Sequence, residues 1–127
     1  MFRFSRKIKY LNLSNFNTEK VTNMEEMFDN MHYLIELDIS NFNTKNVKNM
    51  NRMFAKYMGI EDMLEKIYVN NDFDISNLIS ANHPFDERKK LRGGKGSFLA
   101  NPRDADKTWL RIDDPDNGRP GYFTKKI

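Results

Sequence analysis

Residues 11–28 read LNLSNFNTEKVTNMEEMF and residues 37–54 read LDISNFNTKNVKNMNRMF; 11 of the 18 aligned positions are identical. Leu11 and Leu37, Phe16 and Phe42, and Phe28 and Phe54 are each 26 residues apart. A fixed period of about 20–50 residues marks an array of small units, each too small to bury its apolar side alone. Stepping back one period from Met27-Phe28 lands on Met1-Phe2, and from Leu34 on Ile8, so the sequence opens inside a repeat. Stepping forward, Leu37 and Ile39 match Ile67 and Val69 at an offset of 30. Phe42, Phe54 and Ile60 match Phe73, Phe85 and Leu91 at 31, because VNNDF is one residue longer than ISNF. In this third, degenerate unit NHPF stands where NRMF stood.

Each unit has a local reading. Leu11 and Leu13 alternate with Asn12 and Ser14, the period-2 pattern of a half-buried strand. Asn15 and Asn17 suit a following turn, because Asn tolerates unusual backbone angles and bonds its own backbone. Val21, Met24 and Met27-Phe28 recur at three- to four-residue steps, which predicts a short helix, with Thr22 and Glu25 as a capping box. The second repeat lacks that box, and Asn46 or Asn49 would cap instead. Strand, turn, short helix and loop, stacked copy on copy, give an α/β solenoid. In that stack Phe16, Phe42 and Phe73 form one apolar column, and Phe2, Phe28, Phe54 and Phe85 another. Phe42→Ala is then expected to cost about 3–5 kcal/mol.

Composition narrows the class. The chain has 127 residues, enough for one domain, and 39% of them are hydrophobic, with ten Phe and eight Met for a core. A formal net charge of +3 is a weak pull toward acidic partners and no nucleic-acid signature. The absence of cysteine excludes disulfides, thiol catalysis and Cys-based zinc sites. No run approaches the ~18 apolar residues of a membrane span, and residues 1–13 lack the apolar segment of a secretory signal.

From about Gly93 the period breaks. GGKGSF reads as a flexible turn, TWLRI (residues 108–112) as a strand, DDPDNGRPG as a turn-rich connection and YFT (residues 122–124) as a second strand. A hairpin carrying Trp109, Tyr122 and Phe123 would cover the open edge of the last repeat. The expected organisation is about three repeats over residues 1–92, the first incomplete, and a β-hairpin cap over 93–127.

The pattern LxLSNFNTxxVxNMxxMF resembles the repeat of BspA-like leucine-rich-repeat surface proteins of bacteria, LDLSNFDTSNVTNMSxMF. The block GGKGSF…DKTWLRIDDPDNGRPGYFT is similar to that family's terminal GGNGT…DKTYARID…NPGYFT. The chain departs from it where Asp29-Asn30 and Ala55-Lys56 replace the usual Gly-Cys, and where Trp109-Leu110 replace Tyr-Ala. The resemblance implies a leucine-rich-repeat-type solenoid. It also implies a non-enzymatic role at the cell surface or in secreted form, in adhesion to protein or glycan on host or neighbouring cells. Because family members usually carry an export signal and more repeats, it implies a piece of a longer member. Taken as complete, a chain with no signal would be cytoplasmic. The alternative reading is an inactive remnant, prone to self-association through an open N-terminal edge.

Candidate chemistry is sparse. GGKGS lacks the direct Gly-Lys-Ser/Thr order of a phosphate loop. With Asp113 at position one of a calcium loop, Pro115 falls at three and Thr124 at twelve, where ligands are needed. His32 and His83 have no partners at metal or dyad spacing. The basic run DERKKLRGGK (residues 86–95) reads as a solvated loop. No cofactor, metal, nucleic acid or catalytic residue is expected. The alternate strand positions remain: Tyr10, Asn12 and Ser14; Glu36, Asp38 and Ser40; Lys66, Tyr68 and Asn70. Of these, Tyr10, Asn12, Glu36, Asp38, Lys66 and Tyr68 form the expected partner-binding face, with the tyrosines as anchors.

Overall fold

The computed structural model describes residues 7–29, 31–59 and 61–127. Its four short strands, β1 (Tyr10–Asn12), β2 (Glu36–Asp38), β3 (Lys66–Val69) and β4 (Thr124–Lys125), form one parallel sheet in chain order. Leu11, Leu37 and Ile67 lie opposite one another, so the sheet register is the spacing counted from the sequence, 26 and then 30 residues. The class is a small parallel sheet with few helical segments, which among the described residues are three 3-10 turns at Pro102–Asp104, Lys107–Trp109 and Pro115–Asn117.

The expected short helix does not form. Between residues 19 and 29 the backbone makes turns around an isolated parallel bridge at Asn23, which continues through Asn49 to Ser80. The N–H groups of Met24, Glu26 and Phe28 donate to the carbonyls of Asn49, Asn51 and Met53 at 2.8, 2.9 and 2.8 Å. Met50, Arg52 and Phe54 repeat the pattern onto Ser80, Asn82 and Pro84 at 2.9, 3.0 and 2.9 Å. A helix would spend these donors within its own segment. So short a helix is poorly nucleated, and bonds to the neighbouring repeat win. Asn23 adds local competition: its Oδ1 accepts the Glu25 N–H at 2.9 Å, as Asn49 accepts that of Asn51. The capping box is therefore replaced by an Asn turn. Glu26, Arg52 and His83, one per repeat and just before MF or PF, all take positive φ (54°, 52° and 48°). In the first two repeats they are the third residue of a turn closed by Met27 N–H to Met24 and Met53 N–H to Met50, at 3.3 and 3.2 Å.

Between the sheet and this second ladder lies the core. Leu37, Ile39, Ile67, Val47, Met50, Met53, Phe28, Phe54 and Phe85 are fully enclosed. Phe28 stacks on Phe54 at 5.6 Å and 11°, and Phe54 on Phe85 at 5.2 Å and 5°. Phe2 lies outside the described residues. The other column is graded: Phe73 is buried, Phe42 half-buried and Phe16 49% exposed, so Phe16 is not core. Thr18 and Thr44, the last residue of each NFNT, are buried stitches. Thr18 Oγ1 accepts the Asn43 N–H at 2.8 Å and donates to the Asn43 carbonyl at 3.0 Å; Thr44 does the same to Asp74 at 2.8 and 3.1 Å.

The C-terminal block also departs from expectation. Residues 107–109 form a 3-10 turn instead of opening a strand, and Ile112 meets Phe123 in a parallel bridge. β4 does not fold back as a hairpin arm; it joins the main sheet beside β3, Tyr68 opposite Thr124. The preceding aromatics extend the Phe columns, with Tyr122 at 4.7 Å from Phe85 and Phe123 at 4.7 Å from Phe73.

Candidate functional site

The strand register brings the expected face together in rows. Tyr10, Glu36 and Lys66 form one, and Asn12, Asp38, Tyr68 and Thr124 the next. Tyr10 is 66% exposed, Asn12 is exposed, and Glu36, Lys66 and Tyr68 are half-buried. Tyr10, Leu11, Asn12, Glu36, Asp38 and Tyr68 enclose a shallow hollow of about 190 Å³. Of the flanking residues, Ser14 and Asn70 are half-buried and Ser40 is buried.

Asp38 departs from the reading of a free contact residue. It is 8% exposed and already engaged. Its Oδ1 accepts the Ser40 N–H at 2.9 Å, and its Oδ2 takes the ammonium of Lys126 at 2.6 Å. Lys126 enters from beyond β4, its N–H bonded to the Val69 carbonyl at 2.8 Å, and its Nζ lies 5.3 Å from the Tyr68 ring centroid on the way to β2. Burial alone would raise the Asp38 pKa; the bonds from Lys126 and Ser40 outweigh it and hold the carboxyl below its usual range. The same contact raises the Lys126 pKa.

The two segments with the look of ligand loops serve each other. The N–H groups of Lys95 and Ser97, in GGKGS, donate to Asp113 Oδ2 at 2.9 and 3.0 Å, and Gly121 N–H donates to Oδ1 at 3.2 Å. A turn of amides of the kind that cradles an anion thus holds this chain's own carboxylate, and GGKGS is a tethered turn. A Cβ on Gly93 would come within 2.1 Å of the Gly121 carbonyl oxygen, so only glycine fits there. Burial pushes the Asp113 carboxyl up, but hydrogen bonds from the Ser97 side chain and from the three amides more than offset it and leave the pKa low. In DDPDNG, Asn117 Nδ2 donates to Asp114 at 2.9 Å and Gly118 takes φ 72°.

Arg88 overturns the reading of the basic run as wholly solvated. It is fully buried, and its guanidinium donates to the carbonyls of Phe54, Phe28 and Met31 at 2.5, 3.3 and 3.5 Å and to Asp62 Oδ1 at 3.1 Å. Burial pulls its pKa down, opposed by Asp62 and Asp29. Asp62 also accepts the Lys90 N–H at 3.0 Å. No sequence pattern singles out this arginine among its charged neighbours.

His83 is exposed, its Nδ1 3.3 Å from the Arg103 carbonyl oxygen, and His32 is half-buried. Among the described residues no group of three or more His, Asp and Glu is placed to hold a metal ion, and no helix is long and apolar enough to cross a membrane.

A family model described as "Mycoplasma protein of unknown function, DUF285" matches residues 1–103, and the chain belongs to that family. No curated protein and no solved structure matches it.

Proposed function

We propose that this chain is a non-enzymatic binding module: a short leucine-rich-repeat-type solenoid that offers its sheet face to protein or glycan on a cell surface. The observation that carries the reading is the register of the strands. It sets Tyr10, Glu36 and Lys66 beside Asn12, Asp38 and Tyr68, and all of these but Lys66 line one hollow. An aromatic pair flanked by both charge signs suits recognition of a polar macromolecular surface, where tyrosine supplies contact area at low conformational cost. The likeness of the LSNFNT…MF repeat to BspA-like surface proteins supports an exported product; the match to the DUF285 family is consistent with that repeat and carries no function of its own.

Protease shaving of intact source cells, with mass spectrometry, tests the location. Peptides of this chain released before lysis support display outside; peptides seen only after lysis count against it. Binding is tested with labelled chain on cell surfaces. Saturable binding that Tyr10→Ala with Tyr68→Ala abolishes supports the face; no saturable binding leaves the inactive remnant.

A further inference from the structure

The sheet face is already touched by one cation, from the chain itself. Lys126 reaches from the β4 side across Tyr68 of β3 to Asp38 of β2. Asp38 is buried and Lys126 is not: their side chains are 10% and 43% exposed. The two partners therefore differ in how easily they leave. Asp38 is held by the fold and by its bond to Ser40. Lys126 lies just beyond β4, next to the exposed Ile127. An exposed ammonium gives up little when it swings away, but it leaves behind a buried carboxylate that needs a counter-charge. Glu36 adds to the attraction felt at that point, since its charge raises the Lys126 pKa. The hollow bounded by Tyr10, Asn12, Glu36, Asp38 and Tyr68 adjoins it. A carboxylate beside an aromatic face is the arrangement that receives a lysine or arginine side chain.

We propose that Lys126 is an internal occupant of a cation subsite on the binding face, and that a lysine or arginine side chain of a protein partner takes its place at Asp38 and Tyr68. This rests on the reading of the sheet face as the binding surface, and it narrows the partner to one that presents a basic side chain. Lys126 then acts as a built-in competitor: apparent affinity is reduced by the fraction of time the subsite is filled from within.

The test is a titration of the full chain with a fluorescent, end-blocked hexalysine peptide at low salt, with hexaglutamate as control. Lys126→Ala is expected to bind hexalysine about two- to fivefold more tightly than the parent, the range an exposed ion pair supplies. Adding Asp38→Asn to Lys126→Ala is expected to remove the gain. Lys125→Ala is the decisive comparison. It removes the same charge next door, but Lys125 bonds the Asn70 carbonyl rather than Asp38. Equal gains from the two alanine variants mean a general charge effect and overturn the proposal, as does no gain from Lys126→Ala. Thermal melts show whether each variant is folded, and Tyr68→Leu in the Lys126→Ala background gives a second route to loss of the gain. If hexalysine fails while cell-surface binding still depends on Tyr10 and Tyr68, only the cation subsite falls. If both fail, the binding face falls with it.

Discussion

The first and second repeats share 11 of 18 residues, yet the same side chains meet different surroundings. Leu11 and Val21 are half-buried, whereas Leu37 and Val47 are fully enclosed; Phe16 is 49% exposed, whereas Phe42 is half-buried and Phe73 is 7% exposed. The difference is position. Among the described residues the second repeat has strands on both sides and the first on one. Burial here belongs to the stack, and a repeat's sequence states only what it can bury once neighbours arrive.

The hardest break of that comparison is at Arg88, which reaches back to the carbonyls of Phe28 and Met31 in one repeat and Phe54 in the next. Arg88→Ala strands those acceptors and leaves Asp62 without its buried partner, so it is expected to cost about 3–5 kcal/mol in urea denaturation. Arg88→Met with Asp62→Leu removes both charges together and is expected to recover most of that loss. A double variant no better than Arg88→Ala would mean that the carbonyl contacts, not the stranded charge, set the cost.

Next comes a paired test of position itself. Phe54 is sandwiched between Phe28 and Phe85, and Phe54→Ala is expected to cost about 3–5 kcal/mol. Phe16→Ala is expected to stay within about 1 kcal/mol, because half of that ring already faces water. The half-buried Phe42 falls between them, below the loss expected from sequence. Equal losses at Phe16 and Phe54 would end the argument that neighbours set burial.

A third test asks for equality instead. Thr18 and Thr44 each hold both backbone groups of one residue in the following repeat, and the two are 4% and 2% exposed. Both stitches run toward the C-terminal side, where both repeats have a neighbour. Thr18→Val and Thr44→Val are therefore each expected to cost about 1–3 kcal/mol, and to differ by less than either loss. A markedly smaller loss for Thr18 in chemical denaturation would extend the weakness of the first repeat to its polar contacts.

What was legible in the sequence was the spacing. Counting Leu37 to Ile67 and Asn49 to Ser80 gives 30 and 31, and the structure pairs those same residues. Alternation along Leu11–Leu13 also gave the side of the sheet that carries Tyr10 and Asn12, but not that Asp38, opposite Asn12, would be buried. The turn ladder was not legible, because Val21, Met24 and Met27 recur at steps that a helix and two linked turns share. Nor was β4: YFT reads as a strand, but a strand's own residues do not name the neighbour it pairs with. Arg88 and Asp113 were missed for a related reason. Each is one charge among several, and its role depends on carbonyls or amides brought from 8 to 60 positions away.

The last comparison sets the repeats against residues 93–127 and is read by pH. The repeats are joined mainly by apolar contacts, backbone ladders and threonine hydroxyls, none of which titrates in acid, with carboxylate contacts such as Arg52–Asp86 and Arg88–Asp62 beside them. The C-terminal block leans on carboxylates, among them Asp113, which gathers the amides of Lys95, Ser97 and Gly121, and Asp38, which holds Lys126. Both have pKa values lowered by folding, despite burial acting the other way. A carboxylate of lowered pKa stabilises fully above its unfolded value, about 3.9, and that stability is lost as pH falls through the folded value. The loss from these two groups therefore begins near pH 4 and deepens below it. Hydrogen exchange along an acid series is expected to expose the amides of Lys95, Ser97, Gly121 and Lys126 first. Those of Met50, Arg52 and Phe54, which donate only to backbone carbonyls of the neighbouring repeat, keep their protection longer. Simultaneous loss in both groups would mean that the block and the repeats unfold as one unit, with the carboxylates coupled to the whole stack. Asp113→Asn keeps the shape but weakens the three amide bonds, and it is expected to bring the early opening up to neutral pH.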